Sequence, residues 1–565
     1  MTAWSWPRRA DLPRDLAAAI TVALVSVAEG MAYALVAGVD PVYGLYAGSV
    51  TVLVGSLMAS STLLVITATN ALALVAADKI GALGGGVDPA VAMFTLTVLV
   101  GVVMAALGLL RLGSLVRFIS AEVQAGLVAA VAILIVLGQY DELVGFASDS
   151  SGGKVVKAAD ISAHVTSWHV PTTAVGLGCV AALVLVKRTR WRAYADIVAL
   201  VVGTLAVSGL GLRGVDTVGD VASIPTGLAA IPTPHLPDLS LVPELLPAAI
   251  AAAIVGLSEA ATVGAAYPNP DGSRSDMSRD FLAQGLANIA GGFFRALPSG
   301  GSLSRTGVNV TSGARSRWAG VAAAVLLVVI VAVAGKVAEL IPLTTLAAIL
   351  MVIGVETLVR EVRHLVKARW VSVAHLCAAV ATVVVGIVAE LTAAIFTGVA
   401  LSLLLYMFTV ADRARLTAWT RRPDETWEET DPPAELASAE VTVLAVSGSA
   451  YFASAYRADQ AFPAHDRTAG AAVILQLRDR TFYSLTSLDW IAALIRSLHG
   501  HGNRVFLADI DPSQRTALSR SGLLALLGPD GVVWRDPVIG AAAAEASRRA
   551  SAWLAGHHGE PDPAP

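Results

Sequence analysis

Apolar runs long enough to cross a lipid bilayer follow one another through the first 411 residues of this chain, and no other feature limits its fold as strongly. A membrane helix needs about 20 mostly apolar residues. Runs of that kind occupy roughly 16–36, 43–59, 90–110, 117–138, 170–186, 194–212, 241–265, 318–335, 343–358, 370–389 and 391–411. Charged residues make up 15% of the 565, against 55% hydrophobic, where soluble domains carry about 25% charge. An ordinary cytoplasmic enzyme is disfavoured, and the apolar content excludes a disordered chain. The formal net charge of -4 gives no basic bias toward nucleic acid. Cys179 and Cys377 lie inside apolar runs and offer neither a disulfide framework nor metal-ligand spacing.

Charge is concentrated at the end of the chain. Residues 412–565 hold 15 Lys/Arg and 19 Asp/Glu, so an apolar body over 1–411 is followed by a soluble tail. Within the body, Lys and Arg set the orientation. With the N-terminus in the cytoplasm, the groups at Arg8/Arg14, Arg111/Arg117, Lys187–Arg192, Arg274/Arg279, Arg315/Arg317, Arg360–Arg369 and Arg413/Arg415 fall inside. Lys79, Lys154, Lys157, Arg213, Arg295 and Lys336 fall outside, which satisfies the positive-inside rule. The pattern requires three weaker segments, near 63–78, 280–294 and 303–313, to count as crossings. That gives about fourteen crossings of the cell membrane, with the tail back in the cytoplasm. Arg8, Arg9 and Arg14 precede a long apolar run without a small-residue cleavage site, so no separate cleavable signal is expected.

Two weak segments look alike. Ser60–Leu72 contains Thr67-Ala68-Thr69-Asn70, and Leu297–Asn309 contains Ser302-Leu303-Ser304-Arg305. Each is a polar, small-residue break followed by a short apolar helix. Interrupted segments at matching places in two halves point to a transporter site, because non-helical backbone at membrane depth survives only where protein or a water-filled cavity covers it. A half-helix starting there aims unpaired N–H groups and the positive end of its dipole at the cavity, and an anion is the natural occupant. Arg305 strengthens the case, since an intramembrane charge is costly and is functional by default. Thr67, Thr69, Ser302 and Ser304 add hydroxyl donors. The competing reading makes the Gly/Ser run a plain loop, with Arg305 reaching to an interface.

Two carboxylates, Glu29 and Glu259, also sit inside apolar runs. Glu259 and Thr262 are three apart and share a helix face. A carboxylate withdrawn from water can carry a proton or bind a small cation such as Na+; it can equally form a structural pair with Arg305, and both can hold at once. Tyr33, Tyr43 and Tyr46 flank the Asp40-Pro41 turn and read as interfacial aromatics. In the tail, residues 412–437 read as an acidic, Pro-containing linker and 438–554 as a small α/β domain. Its strands are expected at Val441–Val446, Ala472–Leu477 and Val505–Asp509, with helices at 487–498 and 512–523. Residues 555–565 read as disordered.

Together these residues resemble the sulfate permease (SulP) family of anion transporters. The matching stretches are Met31-Ala32-Tyr33-Ala34 with Pro41–Tyr46, Gly285-Leu286-Ala287-Asn288 with Gly291–Phe294, Leu297-Pro298 through Arg305–Asn309, and Gly313-Ala314-Arg315; the tail is similar to the family's STAS domain. The resemblance implies an α-helical polytopic fold of two inverted seven-segment repeats, divided into core and gate domains. It also implies substrate held between the third and tenth segments, elevator-like movement and a homodimer. By position it implies substrate contacts from Glu29, Thr67, Ala68, Thr69, Asn70, Ser302, Leu303, Ser304 and Arg305. Glu259 with Thr262 is similar to the coupling-ion site of sodium-dependent bicarbonate members, where the acid is Asp. The chain departs from the family at Ala28-Glu29, where Pro-Gln is usual, and at Thr67-Ala68, near which a Gly-Pro pair is usual. A third departure is Ser484–Ser487, in place of an Asp-Ser-Thr-Gly-like turn. The expectation is a secondary active transporter of a small anion, coupled to H+ or Na+, with no other cofactor and no metal. Sulfate is the family default, and bicarbonate and small dicarboxylates are close seconds. The alternatives are a channel-like protein on the same scaffold and an anion sensor signalling through the tail. An intramembrane enzyme is disfavoured, because no nucleophile–base or metal-ligand set is present.

Overall fold

The computed structural model describes residues 8–84, 86–113, 119–150, 152–370, 372–412, 415–447, 459–478 and 485–557. By contact the chain divides into two units, 1–403 and 404–565.

The first unit is helical. Among the described residues nine helices are long and apolar enough to cross a membrane: Leu12–Val36, Pro41–Met58, Pro89–Leu109, Ala121–Val144, Val170–Lys187, Leu239–Ala266, Trp318–Ala338, Leu343–Ala368 and Leu391–Thr409. Ala195–Leu210 and Val373–Val388 are shorter apolar helices, and Met277–Phe293 spans 17 residues. Side chains such as Val184, Leu185, Val333 and Val384 stay exposed, as lipid-facing positions do in a protein whose solvent is hydrocarbon. Leu343–Ala368 runs ten residues past the apolar run that ends at 358, because 359–368 keep helical periodicity while turning amphipathic.

The weak segments resolve into shorter pieces. The segment near 63–78 holds a three-residue strand, β1 (Ile66–Ala68), and the start of a half-helix, Asn70–Gly81, that runs three residues past it. Residues 297–313 hold β2 (Ser299–Gly301) and a second half-helix, Leu303–Thr311. The strands pair antiparallel, with Ile66 opposite Gly301, Thr67 opposite Gly300 and Ala68 opposite Ser299. This ladder satisfies backbone groups that could not remain bare in a bilayer. It also sets the two half-helix N-termini beside each other.

Two close approaches shape the surroundings. Leu12–Val36 crosses Pro41–Met58 at Gly30 and Gly44, where backbone meets backbone and no Cβ fits. A Cβ at Gly301 would lie 2.7 Å from the Ala260 Cα, so only glycine lets Leu239–Ala266 press against β2.

The second unit is a six-stranded sheet in the order β4-β3-β5-β6-β7-β8. Its strands are β3 (Arg415–Arg421), β4 (Trp427–Thr430), β5 (Val441–Ser447), β6 (Ala472–Gln476), β7 (Arg504–Ile510) and β8 (Val532–Trp534). β5 to β8 run parallel, while β3 is antiparallel to both β4 and β5. Leu444, Val473, Leu475, Val505 and Leu507 face the helix Leu485–Gly500; Val443, Ile474 and Phe506 face Ala541–His557. Covered on both faces, the parallel strands read as continuous apolar runs.

Two expectations change. Residues 412–437 are not a simple linker: β3 and β4 form a hairpin there, with Leu416 and Ala418 buried in the sheet core. Acidic and proline residues at its turn and end hid the strand pattern. The final helix continues to His557, past the expected boundary at 554. Ser484 lies outside the described residues.

Candidate functional site

The ladder is clamped from several sides before any site side chain is placed. The Asn288 amide grips β2 through both groups of one residue, donating to the Ser299 carbonyl at 2.7 Å and accepting from its N–H at 2.8 Å. The Thr51 hydroxyl donates to the Ile66 carbonyl at 3.0 Å and lies 3.2 Å from the Ser299 hydroxyl, so one side chain joins both strands. Asn309 donates to the Leu63 carbonyl at 3.1 Å, and the Val65 N–H donates to the Thr306 hydroxyl at 3.1 Å. Asp280 accepts from the Ser60 and Ser61 N–H groups at 2.6 and 3.0 Å, fixing the entry to β1. A buried amide or hydroxyl left without such partners would cost about 1–3 kcal/mol, so these residues hold one register.

Arg305 lies in the first turn of the second half-helix and is 0% exposed. Its Nε bonds Glu29 Oε2 at 3.1 Å, and Glu29 is 2% exposed. Its Nη1 donates to the Thr67 hydroxyl. Its Nη2 has no hydrogen-bond partner among the described residues. Ser302 caps the half-helix by accepting from the Arg305 N–H at 3.3 Å, and Ser304 sits 3.4 Å from Glu29 Oε2. Leu303 lies between them and packs against Leu64, Ile66 and Val263.

At the other half-helix Thr69 is the cap residue, but its hydroxyl does not cap its own helix. It donates to Glu259 Oε2 at 3.0 Å. The first-turn N–H groups of Asn70–Gly81 therefore lack a side-chain acceptor from Thr69, and a helix leaves such groups unpaired by geometry. Among the described residues the buried Asn70 Oδ1 has no partner, and Ala68 is buried in the ladder. Glu259 also faces β2: a Cβ at Gly300 would lie 2.9 Å from its Oε2. A cavity beside Glu259 is walled by Gln124, Val123, Ser258, Thr382 and Ile395.

Glu29, Thr67, Ser304 and Arg305 thus form one connected cluster, and Thr69 with Glu259 a second, both beside the β1–β2 ladder. Thr262 lies apart from both. Its hydroxyl donates to the Ser258 carbonyl at 3.0 Å and lies 3.5 Å from the Gln124 amide. Tyr33 corrects its sequence reading: it is buried rather than interfacial, with its hydroxyl 3.4 Å from Glu29 Oε2 and its ring 5.8 Å from the Arg305 guanidinium carbon. Its place four residues after Glu29, one helical turn away, was the available signal. Asn288 and Thr51 were not singled out, because a polar side chain that braces backbone has no spacing signature.

The family model described as the sulfate permease family matches residues 12–382. The chain belongs to the sulfate permease family. Among its relatives, the probable sulfate transporter 4.2 of Arabidopsis thaliana is 32% identical over 353 residues, covering 60% of this chain and 50% of that protein. The chain spans about half the length of the curated relatives it matches first. The murine Solute Carrier 26 family member A9 anion transporter, solved in the inward-facing state, superposes with a TM-score of 0.81 at 19% identity, over 97% of this chain and 92% of that one. The transmembrane domain of a cyanobacterial bicarbonate transporter, BicA, superposes with a TM-score of 0.58 at 23% identity, over 69% of this chain and 98% of that one. These two likenesses show a shared fold. The named relatives in this sulfate permease family are transporters, not enzymes.

Proposed function

We propose that this sulfate permease family member is a secondary active transporter that carries a small anion between the two half-helix N-termini. The observation that carries this reading is the Arg305 guanidinium. It is fully buried beside the antiparallel β1–β2 ladder, and among the described residues one of its terminal nitrogens has no hydrogen-bond partner. A buried donor of that kind costs free energy until an acceptor arrives, and an oxyanion is the acceptor that also gains from both helix dipoles. Sulfate is the favoured substrate, with bicarbonate and small dicarboxylates next.

The carboxylates supply a means of coupling. Glu29 holds the Arg305 Nε and therefore competes with an incoming anion. At about 4 Å and an effective dielectric near 20, an anion and an ionised carboxylate repel by about 4 kcal/mol. Neutralising Glu29 removes that repulsion and frees Arg305 for the anion. Glu259, bonded to the cap residue of the first half-helix, stands in the same relation to that N-terminus and is the preferred holder of a coupling H+ or Na+.

Counting the two half-helices, Met277–Phe293 and the two shorter apolar helices as crossings gives fourteen, in two inverted halves with both termini in the cytoplasm. The basic groups at Lys187–Arg192 and Arg360–Arg369 support that orientation. Elevator-like movement, a dimer and a STAS-type tail follow the family resemblance. The test is a radiolabelled uptake panel of sulfate, bicarbonate and dicarboxylates in proteoliposomes, with and without imposed pH and Na+ gradients. Gradient-driven accumulation of one anion is expected, and Glu259→Gln should abolish the gradient dependence. No uptake of any anion would overturn the proposal, and unchanged gradient dependence in Glu259→Gln would remove that residue's coupling role.

A further inference from the structure

The helix Leu343–Ala368 is longer than a bilayer requires. At about 1.5 Å per residue it reaches about 39 Å, against about 30 Å of hydrocarbon, so its last turns clear the apolar layer. Those turns carry two neighbouring stripes. Val355, Val359, Val362 and Val366 recur at helical spacing and are 41–48% exposed; Arg360, Arg363 and Lys367 follow the same spacing one residue on. Trp370 is 80% exposed, with the Arg369 guanidinium carbon 4.7 Å from its ring centre.

The neighbouring helix repeats the arrangement. Val170–Lys187 packs against Leu343–Ala368, and Lys187 Nζ bonds Glu356 Oε2 at 2.6 Å, tying the end of the first helix to the second about three turns before its end. Beyond it Arg188, Arg190 and Arg192 are exposed, and Trp191 is exposed with the Arg190 guanidinium carbon 5.5 Å from its ring centre. The two carboxylates within these stretches are already engaged, Glu356 with Lys187 and Glu361 with Arg360. Among the described residues no carboxylate pairs with Arg188, Arg190, Arg192, Arg363, Lys367 or Arg369.

We propose that these two helix ends form a docking surface for the phosphate headgroups of anionic phospholipid. Exposed valines at the depth where the helix leaves hydrocarbon match acyl chains, and two tryptophans mark the interface. Guanidinium and ammonium groups without a carboxylate partner, spread along these helix ends, match phosphates, with arginine offering a planar fork to their oxygens. Charge complementarity selects an anionic lipid over a zwitterionic one.

The test uses the full-length protein in detergent, titrated with phosphatidylglycerol or phosphatidylcholine, with bound lipid counted by native mass spectrometry. The wild type is expected to hold phosphatidylglycerol at least tenfold more tightly than phosphatidylcholine, with the preference shrinking as salt rises. The triple variant Arg363→Gln/Lys367→Gln/Arg369→Gln is expected to lose most of that preference at an unchanged elution volume. Should it fail to fold, Arg369→Gln with Trp370→Ala, at two exposed positions, serves in its place. Equal retention of both lipids by the wild type would overturn the proposal. So would a preference that survives the substitutions, or a shift in elution volume with lipid selectivity intact, which would assign the patch to a second copy of the chain.

Discussion

Arg305 and Glu29 show why the identity of one side chain matters more at membrane depth than in water. Each is buried beyond the reach of solvent, and each is tolerable because the other is 3.1 Å away. Breaking a buried pair by removing one partner costs about 3–5 kcal/mol, because the remaining charge is left uncompensated. Glu29→Gln is therefore expected to lower thermal stability in anion-free detergent by an amount of that order. Sulfate should restore much of the loss, since the anion takes the place of the missing carboxylate beside Arg305. The same variant should bind sulfate more tightly than wild type, in which the Glu29 carboxylate competes for the guanidinium. Thermal unfolding with and without sulfate checks the point; a variant as stable as wild type without anion would show that the pair is not energetically coupled.

The half-helices depend on their braces as much as on their own sequence. A three-residue strand and a nine-residue helix cannot hold a geometry alone, because short helices are marginal without tertiary support. Asn288 binds both polar groups of Ser299, so Asn288→Ala leaves two buried backbone groups unpaired and should cost about 2–6 kcal/mol, at about 1–3 kcal/mol each. Its effect on sulfate affinity should be large although it lies outside the Arg305 cluster, because β2 sets where the second half-helix begins. A stability assay paired with a sulfate-binding isotherm separates this from a local packing defect, which would lower stability and leave affinity intact. These elements were only partly legible in the sequence. The polar breaks at Thr67–Asn70 and Ser302–Arg305 stood out because polar residues interrupt an apolar background. The pairing of Ile66–Ala68 with Ser299–Gly301 did not, since three-residue strands carry no periodicity and the partners lie more than 230 residues apart. The β3–β4 hairpin was missed for a related reason: its charged, exposed edge resembles linker composition.

At the scale of the whole molecule, charge separates into three roles. The second unit carries a disproportionate share, as a soluble sheet should. Basic residues such as Lys187–Arg192 and Arg360–Arg369 gather at the ends of helices long enough to cross a membrane. Within the bundle, apart from buried carboxylates such as Asp15 and Asp196, the charges gather in a small set around one β-ladder, which the pattern of apolar runs and isolated charges could locate but not connect. The tie between Arg305 and Thr67, 238 residues apart, exists only because two halves of the chain fold against each other. On the function proposed above, transport depends on that junction. The most direct measurement is radiolabelled sulfate uptake into proteoliposomes containing wild type or Arg305→Ala, with folding checked by elution volume and thermal unfolding. Wild type should accumulate sulfate and the folded variant should show uptake at the level of empty liposomes; undiminished uptake by folded Arg305→Ala would contradict an anion site at the meeting of the two half-helices.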